Sequence, residues 1–167
     1  MVEPGDDAST ISELMKRLAG RQAAFVNKQE GRSGALWEGR FKASPIQRNN
    51  YLLACCRYIE MNPVRANMVV GPRQYHWSSY RERIGLVNRG LLDIDACYLG
   101  LSDDENRRIE CYQAYLMQGA SDKEIELLRC AWARNQLTGN DRFIDEIERR
   151  TGRRVEYRGR GRPGKDR

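Results

Sequence analysis

Histidine is the scarcest residue in this 167-residue chain: His76 stands alone. Two-histidine metal sites and most histidine relays are thereby excluded within one subunit. Long apolar runs are missing too, since no stretch approaches the roughly twenty apolar residues that a bilayer crossing requires, and the mean hydropathy is −0.75. Met1 to Thr10 is acidic and lacks an apolar segment, so no secretory leader of the usual kind is expected there. A cytoplasmic protein without membrane association is the resulting expectation. Five cysteines (Cys55, Cys56, Cys97, Cys111, Cys130) make an odd set with no C-x-x-C spacing and no nearby histidine. That pattern argues against a zinc knuckle or a disulfide framework, and it predicts reduced thiols packed as small hydrophobes.

What is plentiful is positive charge, unevenly placed. The formal net charge is +6, yet residues 32–83 carry nine basic and three acidic groups, and residues 149–167 carry nine and two. Between them, residues 84–148 carry seven basic and thirteen acidic groups, and residues 1–31 are nearly balanced. Lys and Arg that neutralise phosphates release condensed counterions, so such basic blocks suit a nucleic-acid partner. No basic amphipathic helix with aromatic anchors accompanies the charge, and an anionic membrane ranks lower.

Along the chain, Thr10-Ile-Ser-Glu13 has capping-box spacing. It predicts a helix to about Lys28 with Ile11, Leu14, Met15, Leu18 and Phe25 on one face, interrupted by Gln22. A turn over Gly31 to Gly34 leads into Leu36 to Ile46, which reads as extended, with Arg40 and Lys42 on one side and Phe41 on the other. Asn49 or Asn50 caps a helix through Ile59, and Pro63 should end or kink it within a turn of Tyr58. A short helix is expected from Trp77 to Gly85. Three more follow: one capped at Ser102 to about Met117, one capped at Ser121 to about Gln136, and one from Asn140 to Thr151. Residues 153–167 are Arg/Gly-rich without apolar periodicity and read as disordered.

Four blocks between Leu36 and Tyr80 carry the most specific signal: Leu-Trp-Glu-Gly-Arg-Phe-Lys (36–42), Tyr-Leu-Leu (51–53), Arg-Tyr-Ile-Glu-Met-Asn-Pro-Val-Arg-Ala (57–66) and Trp-Ser-Ser-Tyr (77–80). In this order and spacing the chain resembles the IS200-like tyrosine transposases, and more narrowly their REP-associated branch. The resemblance runs from about Ile11 to Leu86 and resumes at residues 137–143 and 161–163. It implies an α+β fold: the remnant of a ferredoxin-like transposase domain over residues 1–86, a helical C-terminal region over 87–152 and the basic tail. It also implies single-stranded DNA cleavage and strand transfer, the DNA transposition of a mobile element, in which a tyrosine hydroxyl forms a phosphotyrosine while Mg²⁺ or Mn²⁺ polarises the phosphate. Tyr58 matches that nucleophile, and Asn62 matches a position that can supply a metal ligand. Taken from the residues alone, Tyr58 is a helix tyrosine packed by its ring.

One element of the family pattern is missing. The resemblance calls for a strand with paired histidines upstream of the helix that begins at Thr10, and nothing before Thr10 here can form it. His76 lies far downstream and reads as an exposed loop residue. The expectation is a transposase domain truncated at its N-terminus, unable to cut by itself, binding metal weakly, and leaving the Thr10 to Lys28 helix underpacked enough to dimerise. Its partners would be single-stranded or hairpin DNA, a second copy, or a full-length transposase. The rival readings are a non-catalytic DNA-binding regulator and, further off, an RNA-binding protein.

Arg32, Arg40, Lys42, Arg57 and Arg65 are the candidate phosphate contacts. Trp37, Phe41, Trp77 and Tyr80 could stack unpaired bases, although aromatics at such spacing also serve as core. The last two helices, joined through Leu137-Thr-Gly139, have helix-turn-helix order, but Asp141, Asp145, Glu146 and Glu148 would confront phosphates. Arg160 and Arg162, in Arg-Gly-Arg-Pro, match the core of a minor-groove AT-hook as well as a generic basic tail.

Overall fold

The computed structural model describes residues 1–3, 7 and 9–152. They divide into two compact units, Met1–Lys42 and Ala43–Arg167, the second described as far as residue 152. Among the described residues there are helices and no strand, which overturns the expected α+β, ferredoxin-like remnant. The physical reason lies in where residues 34–47 send their backbone groups. The Gly34 carbonyl accepts from Asn27 Nδ2 at 3.0 Å and the Ala35 carbonyl accepts from Arg32 at 3.2 Å, so neither is offered to a neighbouring strand. Only Pro45 to Gln47 meets another extended stretch: Thr138 N–H donates to the Pro45 carbonyl at 2.8 Å, and Gln47 N–H donates to the Thr138 carbonyl at 2.7 Å. A single parallel bridge, Ile46 to Thr138, is the result.

In the first unit, α1 spans Ser9–Gln29. Asp7, rather than Thr10, organises its start, accepting from Ser9 N–H at 2.8 Å and from Ser9 Oγ at 2.6 Å. No residue of α1 is buried. The half-buried stripe is Ile11, Met15, Ala19, Ala23 and Val26, whereas Leu14, Leu18 and Phe25 are 40%, 53% and 63% exposed. The apolar face is thus rotated from the expected one. Its centre is Ala19, whose small side chain goes with a Trp37 indole N–H donated to the Ala19 carbonyl at 3.3 Å.

The second unit holds the core. Helix α2 (Arg48–Glu60) ends at Met61, and α3 (Asn62–Arg65) begins with Pro63 near its N-terminus, where a missing N–H costs nothing. After α4 (Tyr80–Arg83), which is shorter than the Trp77 to Gly85 helix expected, come α5 (Ala96–Leu99), α6 (Glu105–Met117), α7 (Asp122–Arg134) and α8 (Asp141–Thr151). Asp104 caps α6 in place of Ser102, accepting from Arg107 N–H. Ser121 caps α7 and Asn140 caps α8, each through its side chain. A Cβ on Gly139 would overlap the Phe143 ring as it stands, so a larger residue at the turn into α8 requires that ring to shift.

Cys56, Tyr80, Ile84, Tyr98, Tyr112 and Leu116 form the buried cluster, with Leu53, Met61, Leu101, Ile109 and Tyr115 packed around it. Tyr98 and Tyr112 meet edge to face at 5.4 Å, the arrangement that aromatic quadrupoles favour.

The five cysteines are free, and Cys55 and Cys56 are buried next to one another. Burial, followed by repulsion from Cys56, pushes the Cys55 thiol up to about 12. An unfolded thiol ionises near pH 8.5, so above that pH the unfolded chain sheds a proton the folded chain keeps. Its stabilising contribution is therefore whole below about pH 8.5 and is lost progressively toward pH 12. Between pH 8 and pH 10.5 the urea midpoint of wild type should fall further than that of Cys55→Ala; equal falls would contradict the burial argument.

Candidate nucleic-acid interface

Of the residues singled out in the sequence, three cations remain on the surface of the first unit. Arg32, Arg40 and Lys42 are exposed. Arg32 lies 3.5 Å from Glu30 and also donates to the Ala35 carbonyl. Among these cations stand Trp37, 55% exposed, and Phe41, 41% exposed. The Trp37 indole is held to α1 by its bond to Ala19, so the ring is fixed while much of its surface stays in water.

The candidates in the second unit are placed differently. Arg57 is buried, with both oxygens of Glu124 accepting from its Nη2 at 2.7 Å and its guanidinium 4.3 Å from the Tyr115 ring centroid. That charge ties α2 to α7. Arg65 is half-buried and folds back on Tyr58: its Nη2 donates to the Tyr58 carbonyl at 2.5 Å, and its guanidinium lies 4.5 Å from the ring centroid. The contact has a local cause. Tyr58 lies in the last turn of α2, and the guanidinium supplies a donor to one of that helix's terminal carbonyls. Burial pulls the Arg65 pKa down, against the attraction of Tyr58. Tyr58 itself is half-buried, and Asn62 is exposed at the start of α3.

A divalent cation of the kind the family uses needs several oxygen or nitrogen donors converging on one point. Among the described residues no three of His, Cys, Asp and Glu do so. No such cluster accompanies Asn62 among the described residues. His76 is exposed in a loop, and Arg81 donates to its Nδ1.

Tyr80, one of the four aromatics considered for base stacking, is only 3% exposed and belongs to the core. Its neighbour in the same block, Trp77, is 80% exposed. Helix α8 presents Arg142, Asp145, Glu146, Arg149 and Arg150 around a shallow depression, with Arg150 and Glu146 paired at 2.9 Å. Mixed charge of this kind suits solvent better than a phosphate backbone. Arg160 and Arg162 lie outside the described residues.

A buried acid went unremarked in the sequence. Glu60 is fully buried and accepts from Ser79 Oγ at 2.6 Å, Tyr112 OH at 2.7 Å and Arg83 Nε at 3.2 Å. Arg83 in turn lies between the rings of Tyr98 and Tyr112, at 5.5 and 5.3 Å. Burial opposes its charge, but Cys56, Tyr112 and Glu60 together outweigh that and raise its pKa. Burial, then the Glu60 charge, drives the Tyr112 pKa upward as well. The available signal was Glu60 itself, a carboxylate that continues the three-residue spacing of Ala54 and Arg57 on one helical stripe.

Comparison with family models, with curated proteins and with solved structures gave no match. The likeness to IS200-like transposases rests on the four sequence blocks alone. No helix among the described residues is long and apolar enough to cross a membrane.

Proposed function

We propose that this chain is a transposase-related DNA-binding protein that engages single-stranded or hairpin DNA and, by itself, holds it without cutting. The observation that carries this reading is the run from Arg32 to Lys42, where two exposed aromatic rings stand among three exposed cations. Rings of this kind stack on unpaired bases while cations grip the phosphates. The ordered blocks around Tyr58 support the link to transposases. The non-cutting part of the reading rests on chemistry: a phenol is a weak nucleophile unless its developing anion is stabilised, and the cation that lies over the Tyr58 ring, Arg65, donates to the Tyr58 carbonyl. Such a protein would act by occupying DNA ends or by pairing with a complete transposase.

A denaturing gel separates binding from cutting. A labelled hairpin with a single-stranded flank, incubated with the protein and Mg²⁺ or Mn²⁺, should show no protein-linked DNA, and Tyr58→Phe should bind it as wild type does. A covalent species that disappears in Tyr58→Phe would overturn the non-cutting reading. Arg40→Ala and Lys42→Ala should each weaken binding by several-fold and reduce the salt slope by about one phosphate equivalent. Unchanged affinity in both would remove the first unit from the interface.

A further inference from the structure

Among the described residues, the most exposed ring of the second unit sits on an anchored turn. Trp77 is 80% exposed, yet the chain on either side of it is tied down. Upstream, Gln74 Oε1 accepts from the N–H groups of Val70 and Gly71 at 2.9 and 3.3 Å, and a short 3₁₀ turn, Pro72–Gln74, stands on the buried Pro72. Downstream, Ser79 donates to the buried Glu60 and Tyr80 enters the core. A large ring left in water on a fixed backbone is already organised for a partner, so little ordering cost remains on binding.

The neighbouring charges indicate what that partner is. His76, adjacent to Trp77, accepts from Arg81 through Nδ1. Arg73 is exposed on the 3₁₀ turn. Around Trp77 in sequence, residues 70–81 hold two arginines and the histidine and no carboxylate. A flat ring among cations suits an unpaired nucleobase with its phosphate, since a paired base hides its faces in the duplex.

We propose that Trp77 is a stacking platform for an unpaired base of single-stranded DNA, with Arg73 and Arg81, its neighbours in sequence, as the phosphate contacts. This deepens the DNA-binding reading above and rests on it. The platform is separate from the Arg32 to Lys42 run, so the chain carries a stacking ring in each of its two units.

The test is fluorescence anisotropy with labelled oligothymidylate and with the matching abasic oligomer, for wild type, Trp77→Ala, Trp77→Phe and Arg81→Ala. Trp77→Ala should bind oligothymidylate about tenfold more weakly, the worth of one stacked base, with an unchanged salt slope. Trp77→Phe should recover most of the loss, and wild type and Trp77→Ala should bind the abasic oligomer equally. Arg81→Ala should instead flatten the salt dependence. Circular dichroism and thermal midpoints that match wild type are expected, because the ring is mostly in solvent. Wild-type binding with no loss in Trp77→Ala, or equal loss on the abasic oligomer, would overturn the platform and leave the DNA-binding reading standing. Failure of wild type to bind either oligomer or a hairpin would overturn both.

Discussion

Glu60→Ala is expected to cost about 3–5 kcal/mol of folding stability, the usual consequence of removing one partner from a buried ion pair. The substitution leaves the Arg83 guanidinium, 9% exposed along its side chain, without its carboxylate, and it strips Tyr112 OH and Ser79 Oγ of their acceptor. Small domains have about 5–15 kcal/mol in total, so much of the population should unfold on mild heating. Glu60→Gln retains an acceptor and should lose only about 1–3 kcal/mol. Converting Glu60 and Arg83 together to methionine should cost less than Glu60→Ala alone, because no charge is then stranded. Urea titration of the three variants checks this ordering. A loss below about 1 kcal/mol in Glu60→Ala would mean that the carboxylate is solvated and the network is not holding α2, α4 and α6 together.

Arg57→Ala is the second large effect, with about 2–4 kcal/mol expected from the lost bidentate pair and ring contact. The cost is smaller than at Glu60 because Glu124 retains 25% side-chain exposure and can turn to water. Arg57→Lys should recover only part of the loss: one ammonium nitrogen can still meet Glu124, but the flat guanidinium contact with the Tyr115 ring and the Nη1 bond to its carbonyl are gone. DNA affinity measured well below the unfolding temperature should match wild type. The opposite pattern, unchanged stability with weakened DNA binding, would place Arg57 on phosphate and remove it from the α2–α7 junction.

These two residues show where sequence reasoning stopped. Local signals were legible: the extent of α1, the cap at Ser121, and the break after Tyr58 all depend on nearest neighbours and on proline geometry. Partnerships distant in sequence were not. Arg57 stands beside Tyr58 in a block that looks cationic, but Ala54, Arg57 and Glu60 recur on one buried stripe of α2, and Glu124 lies 67 positions away. The strand expected from Leu36 to Ile46 did not form for a similar reason. Alternation supplies a strand with faces but not with a partner, and among the described residues only the end of this stretch, Pro45 to Gln47, pairs with another, at Thr138. The face of α1 was misplaced because Leu14, Leu18 and Phe25 are more apolar than Ala19 and Ala23. Ile11, Met15 and Val26 share the half-buried stripe with the small Ala19 and Ala23, while Leu14, Leu18 and Phe25 stay largely in solvent.

For the candidate interface, residue type was legible and availability was not. Arg32, Arg40, Lys42, Arg57 and Arg65 look alike as letters. The fold leaves the first three at the surface and commits Arg57 to Glu124 and Arg65 to the Tyr58 carbonyl. Trp77 and Tyr80, three residues apart in one block, are likewise divided between water and core.

Titrating labelled hairpin DNA with the intact chain at about 50 mM and then about 200 mM salt tests the central claim most directly. The account predicts saturable binding that weakens at least tenfold over that interval, on the order expected when several phosphates are neutralised. Binding that is absent, or that is indifferent to salt, would contradict it.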